Sequence, residues 1–508
     1  MTNLYRDIFG EWFAGEVPAS FIDGADFVGS GTEIVIEDPA LGAIAYTYRD
    51  GGEDAAAAAL EAADKGGLAW RRMTASARGA VLFEASRKLR ERGEAFARLE
   101  AVSAGKPLRD ARIEVQRVAD MFAYYAGFAD KLTGDVVPVP TSHLNIVTRE
   151  PLGTIVQLTP WNAPIFTAGW QLAPALAAGN AVVLKPSELT PASSVALARL
   201  LHDVGVPAGT VNVVAAHGAT GGARLVSDGR VGKVVFIGSV PTGRKVASAA
   251  AGAGRPALLE LGGKSANIVF ADADLARAAQ AAQAAIFAAA GQSCTAGSRL
   301  LVQRPAYDQV VEWVAAGAAR LVVGRPLDPA TEVGPINNRR QFEHVERLVA
   351  AGLGEGARLV IGGRRPERED CESGFFIAPT VFADVEATMR VATEEIFGPV
   401  LSVIPFDTED EAIALANASA FDLAGAVWTR DVTRAHRVAA RMRAGTVWVN
   451  AYRSLSVMSP FGGMRGSGFG RSSGRDVMLE YTQPKSIWIE TDETAPLPFG
   501  YGPNTRFP

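Results

Sequence analysis

The sequence predicts an α/β protein built on two successive parallel sheets. Three observations carry this: short apolar runs rich in β-branched residues, alanine-rich helical stretches between them, and a glycine break near 262–264 that divides the series. Strands apolar on both faces belong to parallel sheets covered by helices on each side. In the first series the strands are "GTIVQLT" (153–159), "NAVVLKP" (180–186), "GTVNVVA" (209–215) and "VGKVVFIG" (231–238). Helical patterns lie between them at 168–178, 191–205 and 218–227. The second series holds strand 299–303, a helix opening at Pro305, "RLVIGG" (358–363), "VLSVIPF" (400–406), a helix near 409–418 and "GTVWVN" (445–450). Two segments belong to neither: "GDVVPVPTSHLNIVTREPLG" (134–153) alternates around prolines like a projecting hairpin, and "KSIWIE" (485–490) is a late alternating strand. Exposed edges need pairing or protection, so both read as parts of an oligomer interface. The closing "TAPLPFGYGPNTRFP" reads as an irregular tail.

At 508 residues the chain exceeds one hydrophobic core, so two or three domains are expected. Fifty basic against 55 acidic residues, without a run of like charge, argue against a nucleic-acid partner. Two cysteines form no disulfide framework, and five histidines show no metal-ligand spacing, so no metal is expected. Reduced thiols, no signal-like apolar region at the start and no apolar span point to a cytoplasmic protein without a membrane partner.

The chemistry gathers around "AAAGQSCTAGSR" (288–299), where small residues leave room on both sides of Cys294. By itself Cys294 reads as an inert buried thiol. Glu260, in "LLELGGKS", by itself reads as the partner of Lys264. Five further motifs stand with them: "TPWNAPIF" (159–166), "VLKPSE" (183–188), "FIGSVPTGRK" (236–245), "EEIFGPV" (394–400) and "SPFGGMRGSGFGR" (459–471). The "TPWNAPIF" turn follows a strand and presents an amide where such sheets bind ligands. No G-x-G-x-x-G follows a strand, and "FIGSVPTGRK" ends Gly-Arg-Lys where a P-loop has Gly-Lys-Ser/Thr, which excludes nucleotide hydrolysis.

In order and spacing these motifs resemble the aldehyde dehydrogenase superfamily, in its NAD(P)-dependent, hydrolytic, non-acylating branch, from about residue 20 to 490. The resemblance implies a homodimer or homotetramer with three regions. These are a Rossmann-like cofactor domain (1–133 and 154–262), an α/β catalytic domain (263–476) and a bridging β arm (134–153 and 477–495), followed by a tail (496–508). It implies that Cys294 attacks an aldehyde, that Asn162 and the Cys294 N–H hold the developing oxyanion, and that Glu260 activates water to hydrolyse the thioester. It places Gly238 and Ser239 at the pyrophosphate of NAD, Lys185 and Glu188 at the adenosine ribose, and Glu395, Phe397 and Trp161 around the nicotinamide end. A carboxylate at 188 accepts from both ribose hydroxyls and repels a 2′-phosphate, which favours NAD over NADP.

The family's substrate tunnel falls on Arg117, Phe166, Trp170, Ser293, Thr295, Arg453, Leu455, Met458 and Phe461. The two arginines suit a distal carboxylate, as in a semialdehyde, whereas the apolar members equally admit an aromatic or medium-chain aldehyde. In several relatives a glutamate near the C-terminal Gly-Arg relays the proton from the base. Here Arg475 stands at about that place, with Asp476 beside it. Cys371, in the charged stretch "RPEREDCESGFF", reads as surface-like and non-catalytic. Two other readings are a catalytically retired structural relative, which would have lost Cys294, Glu260 or Asn162, and a phosphate- or coenzyme A-dependent semialdehyde dehydrogenase, which Glu260 disfavours.

Overall fold

The computed structural model describes residues 2–13, 17–18 and 20–493, so the tail expected at 496–508 and the last residues of the expected arm lie outside the described residues. Two large sheets form the core of the chain. In the first, the strand order is Ala25–Phe27, Ser20–Ile22, Val211–Val213, Ala181–Lys185, Thr154–Leu158, Val231–Ile237, Ala257–Glu260 and Gly468–Phe469. The five central strands are parallel, and antiparallel strands close both edges. Every residue of Thr154–Leu158 and Ala181–Lys185 is buried, as two-sided helix cover requires. Gly468–Phe469 returns from far along the chain to pair with Leu259 and Glu260.

The second sheet has seven strands in the order Arg358–Ile361, Thr380–Ala383, Val400–Phe406, Arg299–Gln303, Ala266–Val269, Ala424–Trp428 and Thr446–Val449. All pairs are parallel except that of Arg358–Ile361 with its neighbour. Outside both sheets, Thr482–Glu490 pairs antiparallel with His143–Pro151 along its whole length, and Asp135–Val137 adds a third strand. This sheet leaves Val136, Leu144, Ile487, Trp488 and Ile489 exposed.

The N-terminal helices Gly52–Arg72, Ala75–Glu91 and Gly93–Ala104 add to the pattern read from the sequence. The helix expected at 168–178 opens earlier, as Pro164–Ala177, because Pro164 fits the first helical position, where no N–H bond is required. The helical pattern at 218–227 is a short irregular turn, Gly218–Gly222, followed by Ala223–Val226. Cys371 is buried, not at the surface. Its charged neighbours turn outward while its thiol points to the carbonyl of Val323 at 3.7 Å.

Candidate active site

Between the two sheets lies a cleft of about 1260 Å³. Its walls are the turns that follow the parallel strands: Pro160–Ala163 after Thr154–Leu158, Ser187–Leu189 after Ala181–Lys185, Gly238–Thr242 after Val231–Ile237, and Leu261–Gly262 after Ala257–Glu260. Ligand crevices of open α/β sheets sit at these carboxyl ends. Cys294, Glu260 and Asn162 all line the cleft.

The loop carrying Cys294 is reached through left-handed backbone at Ala289, Ala290 and Gly291 (φ 53°, 53° and 72°). For alanine this conformation costs about 1–2 kcal/mol per residue. Close packing enforces it at Gly291, where a Cβ would come within 2.0 Å of the Gly398 carbonyl oxygen. Gln292 then staples the loop down: its side-chain oxygen accepts from the Asn337 N–H at 2.9 Å, and its backbone oxygen accepts from Asn162 Nδ2 at 2.8 Å. Asn162 therefore braces the cysteine loop with one amide hydrogen and retains a second. Burial pushes the Cys294 thiol up to about 12, helped by the Glu260 and Glu395 carboxylates and opposed by Arg453.

Glu260 does not pair with Lys264. The lysine side chain lies beyond the Gly-Gly turn, buried, with Nζ unpartnered among the described residues. Burial and nearby Arg299 push it down to about 7, against the pull of Glu395. Glu260 instead accepts a hydrogen bond from Ser472 Oγ at 2.8 Å. Burial lifts its carboxyl to about 8. Arg475 and Asp476, the expected place of a relay, are exposed at the start of the helix Asp476–Glu480 and do not contact Glu260.

Toward the other end of the cleft, Trp161 and Phe397 meet edge to face, with ring centroids 5.4 Å apart. Glu395 Oε1 accepts the Gly263 N–H at 3.0 Å, and a Cβ on Gly262 would sit 2.1 Å from Glu395 Oε2, so only glycine admits the carboxylate. Glu188 lines the cleft and its backbone oxygen accepts from Tyr48, whereas Lys185, expected beside it at the ribose, is not among the cleft walls: its buried Nζ donates to the Pro186 carbonyl at 2.8 Å and lies 3.4 Å from Glu188. Gly238 departs from the expected role of its N–H, which is spent on the Glu260 carbonyl at 3.0 Å. The free donors begin at Ser239 and the first turn of helix Val240–Gly252. Lys245, Arg340 and Arg347 line the cleft as well, positive charges that their scatter along the sequence concealed.

The remaining expected positions, Arg117, Phe166, Trp170, Ser293, Thr295, Arg453, Leu455 and Phe461, line the same cleft, whereas Met458 is not among its walls. Trp170 stacks between Phe166 and Phe461 at 5.9 and 5.4 Å, and its Nε1 donates to Ser473 Oγ at 2.6 Å. The acidic residues nearby are already matched: Glu114 with Lys106 and Asp120 with Arg90. Arg117 and Arg453 have no ion-pair or hydrogen-bond partner among the described residues.

The model of the aldehyde dehydrogenase family matches residues 27–487. The chain belongs to the aldehyde dehydrogenase family. This aldehyde dehydrogenase is 42% identical over 457 residues to betaine aldehyde dehydrogenase of Bacillus subtilis, covering 89% of this chain and 93% of that one. It is also 42% identical over 429 residues to human retinal dehydrogenase 2, covering 84% and 82%. A crystal structure of betaine aldehyde dehydrogenase from Staphylococcus aureus in complex with NAD+ superimposes with a TM-score of 0.94 at 34% identity, covering 99% of this chain and 100% of that one. The α/β aldehyde dehydrogenase fold and an aldehyde-oxidising activity are thus established. Two relatives named for very different aldehydes stand at the same identity, so overall similarity does not select the substrate. Among the described residues no helix is long and apolar enough to cross a membrane, and no group of three His, Cys, Asp or Glu side chains could hold a metal ion.

Proposed function

We propose that the enzyme oxidises an aldehyde to its carboxylic acid with NAD, through a thioester on Cys294 that water hydrolyses with Glu260 as base. The observation that carries this is the convergence of Cys294, Glu260 and Asn162 in one cleft with an anion-accepting helix N-terminus along its wall. A thiol held at about 12 is protonated at neutral pH and too weak an acid to pass its proton to Glu260, at about 8, so that proton leaves to water in the cleft and Glu260 serves the hydrolysis. The sulfur attacks the carbonyl carbon, and the oxyanion takes hydrogen bonds from the second amide hydrogen of Asn162 and the Cys294 N–H. Such a donor contributes about 3–4 kcal/mol. When bound, NAD supplies the hydride acceptor and the positive charge of its ring. Water then attacks the thioester, its proton passes to Glu260, and the C–S bond breaks to release the acid.

The cofactor-binding residues fit NAD. Unpaired N–H groups at Ser239 and the start of Val240–Gly252, with Lys245, Arg340 and Arg347, suit a pyrophosphate. Glu188 suits ribose hydroxyls, and Glu395 with Phe397 and Trp161 suits the nicotinamide end. The exposed apolar edge of the three-stranded arm supports a homodimer or homotetramer, and two unpaired cysteines support a cytoplasmic setting. Mixing the protein with NAD or NADP and a panel of aldehydes, without coenzyme A or phosphate, is expected to produce NADH with a clear preference for NAD. Dependence on coenzyme A or phosphate overturns the hydrolytic reading.

For the aldehyde itself, the unmatched guanidinium groups of Arg117 and Arg453 favour a substrate with a distal carboxylate and disfavour a cationic one. The aromatic wall of Phe166, Trp170 and Phe461 covers the carbon skeleton between them. A charge-assisted hydrogen bond contributes about 1.5–3 kcal/mol, so Arg453→Ala is expected to raise KM for a semialdehyde by on the order of tenfold to a hundredfold. A neutral aldehyde of equal length should change little. Parallel changes for the two substrates refute the carboxylate subsite.

A further inference from the structure

The geometry points to Ser472, backed by Gln171, as the positioning residue of Glu260: we propose that a neutral, donor-only hydrogen-bond chain orients this carboxylate and confines its proton exchange to the cleft side. The proposal rests on the reading of Glu260 as the hydrolytic base. Ser472 Oγ donates to Glu260 Oε1 at 2.8 Å, and Gln171 Nε2 donates to Ser472 Oγ at 3.0 Å. Behind them, Tyr481 OH donates to Gln171 Oε1 at 2.7 Å, and Gln157 Nε2 donates to the Gln171 carbonyl at 3.0 Å. Ser472, Gln171, Tyr481 and Gln157 are all fully buried. Ser472 is held by reciprocal backbone bonds to Phe461, at 2.6 and 2.7 Å, which tie it to the wall of the cleft.

Each hydrogen in the chain points toward the carboxylate. Donation to the charged form favours that form. For a proton to travel inward from Glu260, the Ser472 hydroxyl would have to turn and donate to Gln171, whose facing group is an amide N–H with no lone pair to receive it. The chain therefore stabilises the carboxylate and cannot drain its proton. The other oxygen, Glu260 Oε2, is buried without a hydrogen-bond partner among the described residues, and Glu260 lines the cleft. The charges facing Glu260 are Arg471, which favours the carboxylate, and Glu480, which opposes it but is itself paired with Lys233. Cys294 lies on the cleft side and Tyr481 on the inner side. None of these groups replaces the bond that Ser472 supplies.

The test measures acid release after the NADH burst as a function of pH, with an aldehyde that the unaltered enzyme turns over. The unaltered enzyme should show a rising limb near pH 8, the value to which burial lifts Glu260. In Ser472→Ala that limb should move to higher pH by about one unit, a roughly tenfold slower release at neutral pH, because the carboxylate loses a donor. The burst rate and the KM for aldehyde should stay within about twofold. Ser472→Thr, which keeps the hydroxyl, should restore the limb, and Gln171→Met should shift it in the same direction by less. An unmoved limb in Ser472→Ala, a burst that falls in step with acid release, or no rescue by threonine overturns the proposal. Glu260→Gln separates the two levels: if acid release survives in that variant the base itself is misassigned, whereas its loss together with an unmoved Ser472→Ala limb overturns the positioning role alone.

Discussion

Cys294→Ala abolishes aldehyde oxidation and leaves NAD binding nearly intact. The thiol is the nucleophile in this account, and no other side chain of the cleft can form the thioester. Loss of a covalent nucleophile from a coupled catalytic set lowers turnover by on the order of 10⁵–10⁶-fold. The change is nearly silent elsewhere, since Cys294 is half-buried at the cleft and its loop is held by Gln292 and Asn162, not by sulfur. Steady-state NADH formation and a fluorescence titration with NAD check the two halves. Turnover close to that of the unaltered enzyme removes the assignment of Cys294, and a large loss of NAD affinity shows that the thiol supports the cofactor site.

Glu260→Gln separates the two halves of the reaction. A positioned general base contributes about 10²–10⁴-fold, and in this enzyme that contribution falls on hydrolysis. Glutamine keeps the shape and accepts the Ser472 hydroxyl at its carbonyl oxygen, but cannot take a proton from water. Rapid mixing with NAD and aldehyde should therefore give a burst of NADH approaching one per active site, followed by a steady rate lower by about that factor. A steady rate equal to that of the unaltered enzyme shows that another group activates water. A burst lost together with turnover shows that Glu260 is required from the first step.

How much of this was legible in the sequence follows from local patterning. Thr154–Leu158 and Val231–Ile237 stood out because β-branched residues fill both faces of a central strand. Ala424–Trp428 is as deeply buried, but "AGAVW" is alanine- and glycine-rich and gives no strand signal. Ala257–Glu260 and Ala266–Val269 are only four residues each and flank the Gly-Gly turn, where the break is more conspicuous than the strands. At the site, the residue types and their order were readable, whereas their partners were not. Glu260 lies four positions from Lys264 in sequence yet is bonded to Ser472, 212 residues away, because Gly468–Phe469 returns to the edge of the first sheet. Gln171 did leave a trace: it is a lone amide within the apolar run "GWQLAPALA", and a buried polar group there requires a partner. Cys371 misled because neighbouring charges describe the outer face of a short turn and not the one side chain that points inward.

The central claim, a thioester on Cys294 awaiting hydrolysis by Glu260, is tested most directly by trapping it. Glu260→Gln mixed with NAD and a reactive aldehyde, quenched in acid after the NADH burst and digested, should carry the acyl group on the peptide containing Cys294, in an amount matching the burst. An unmodified Cys294 peptide beside a full burst, or the acyl group on any other residue, contradicts the account.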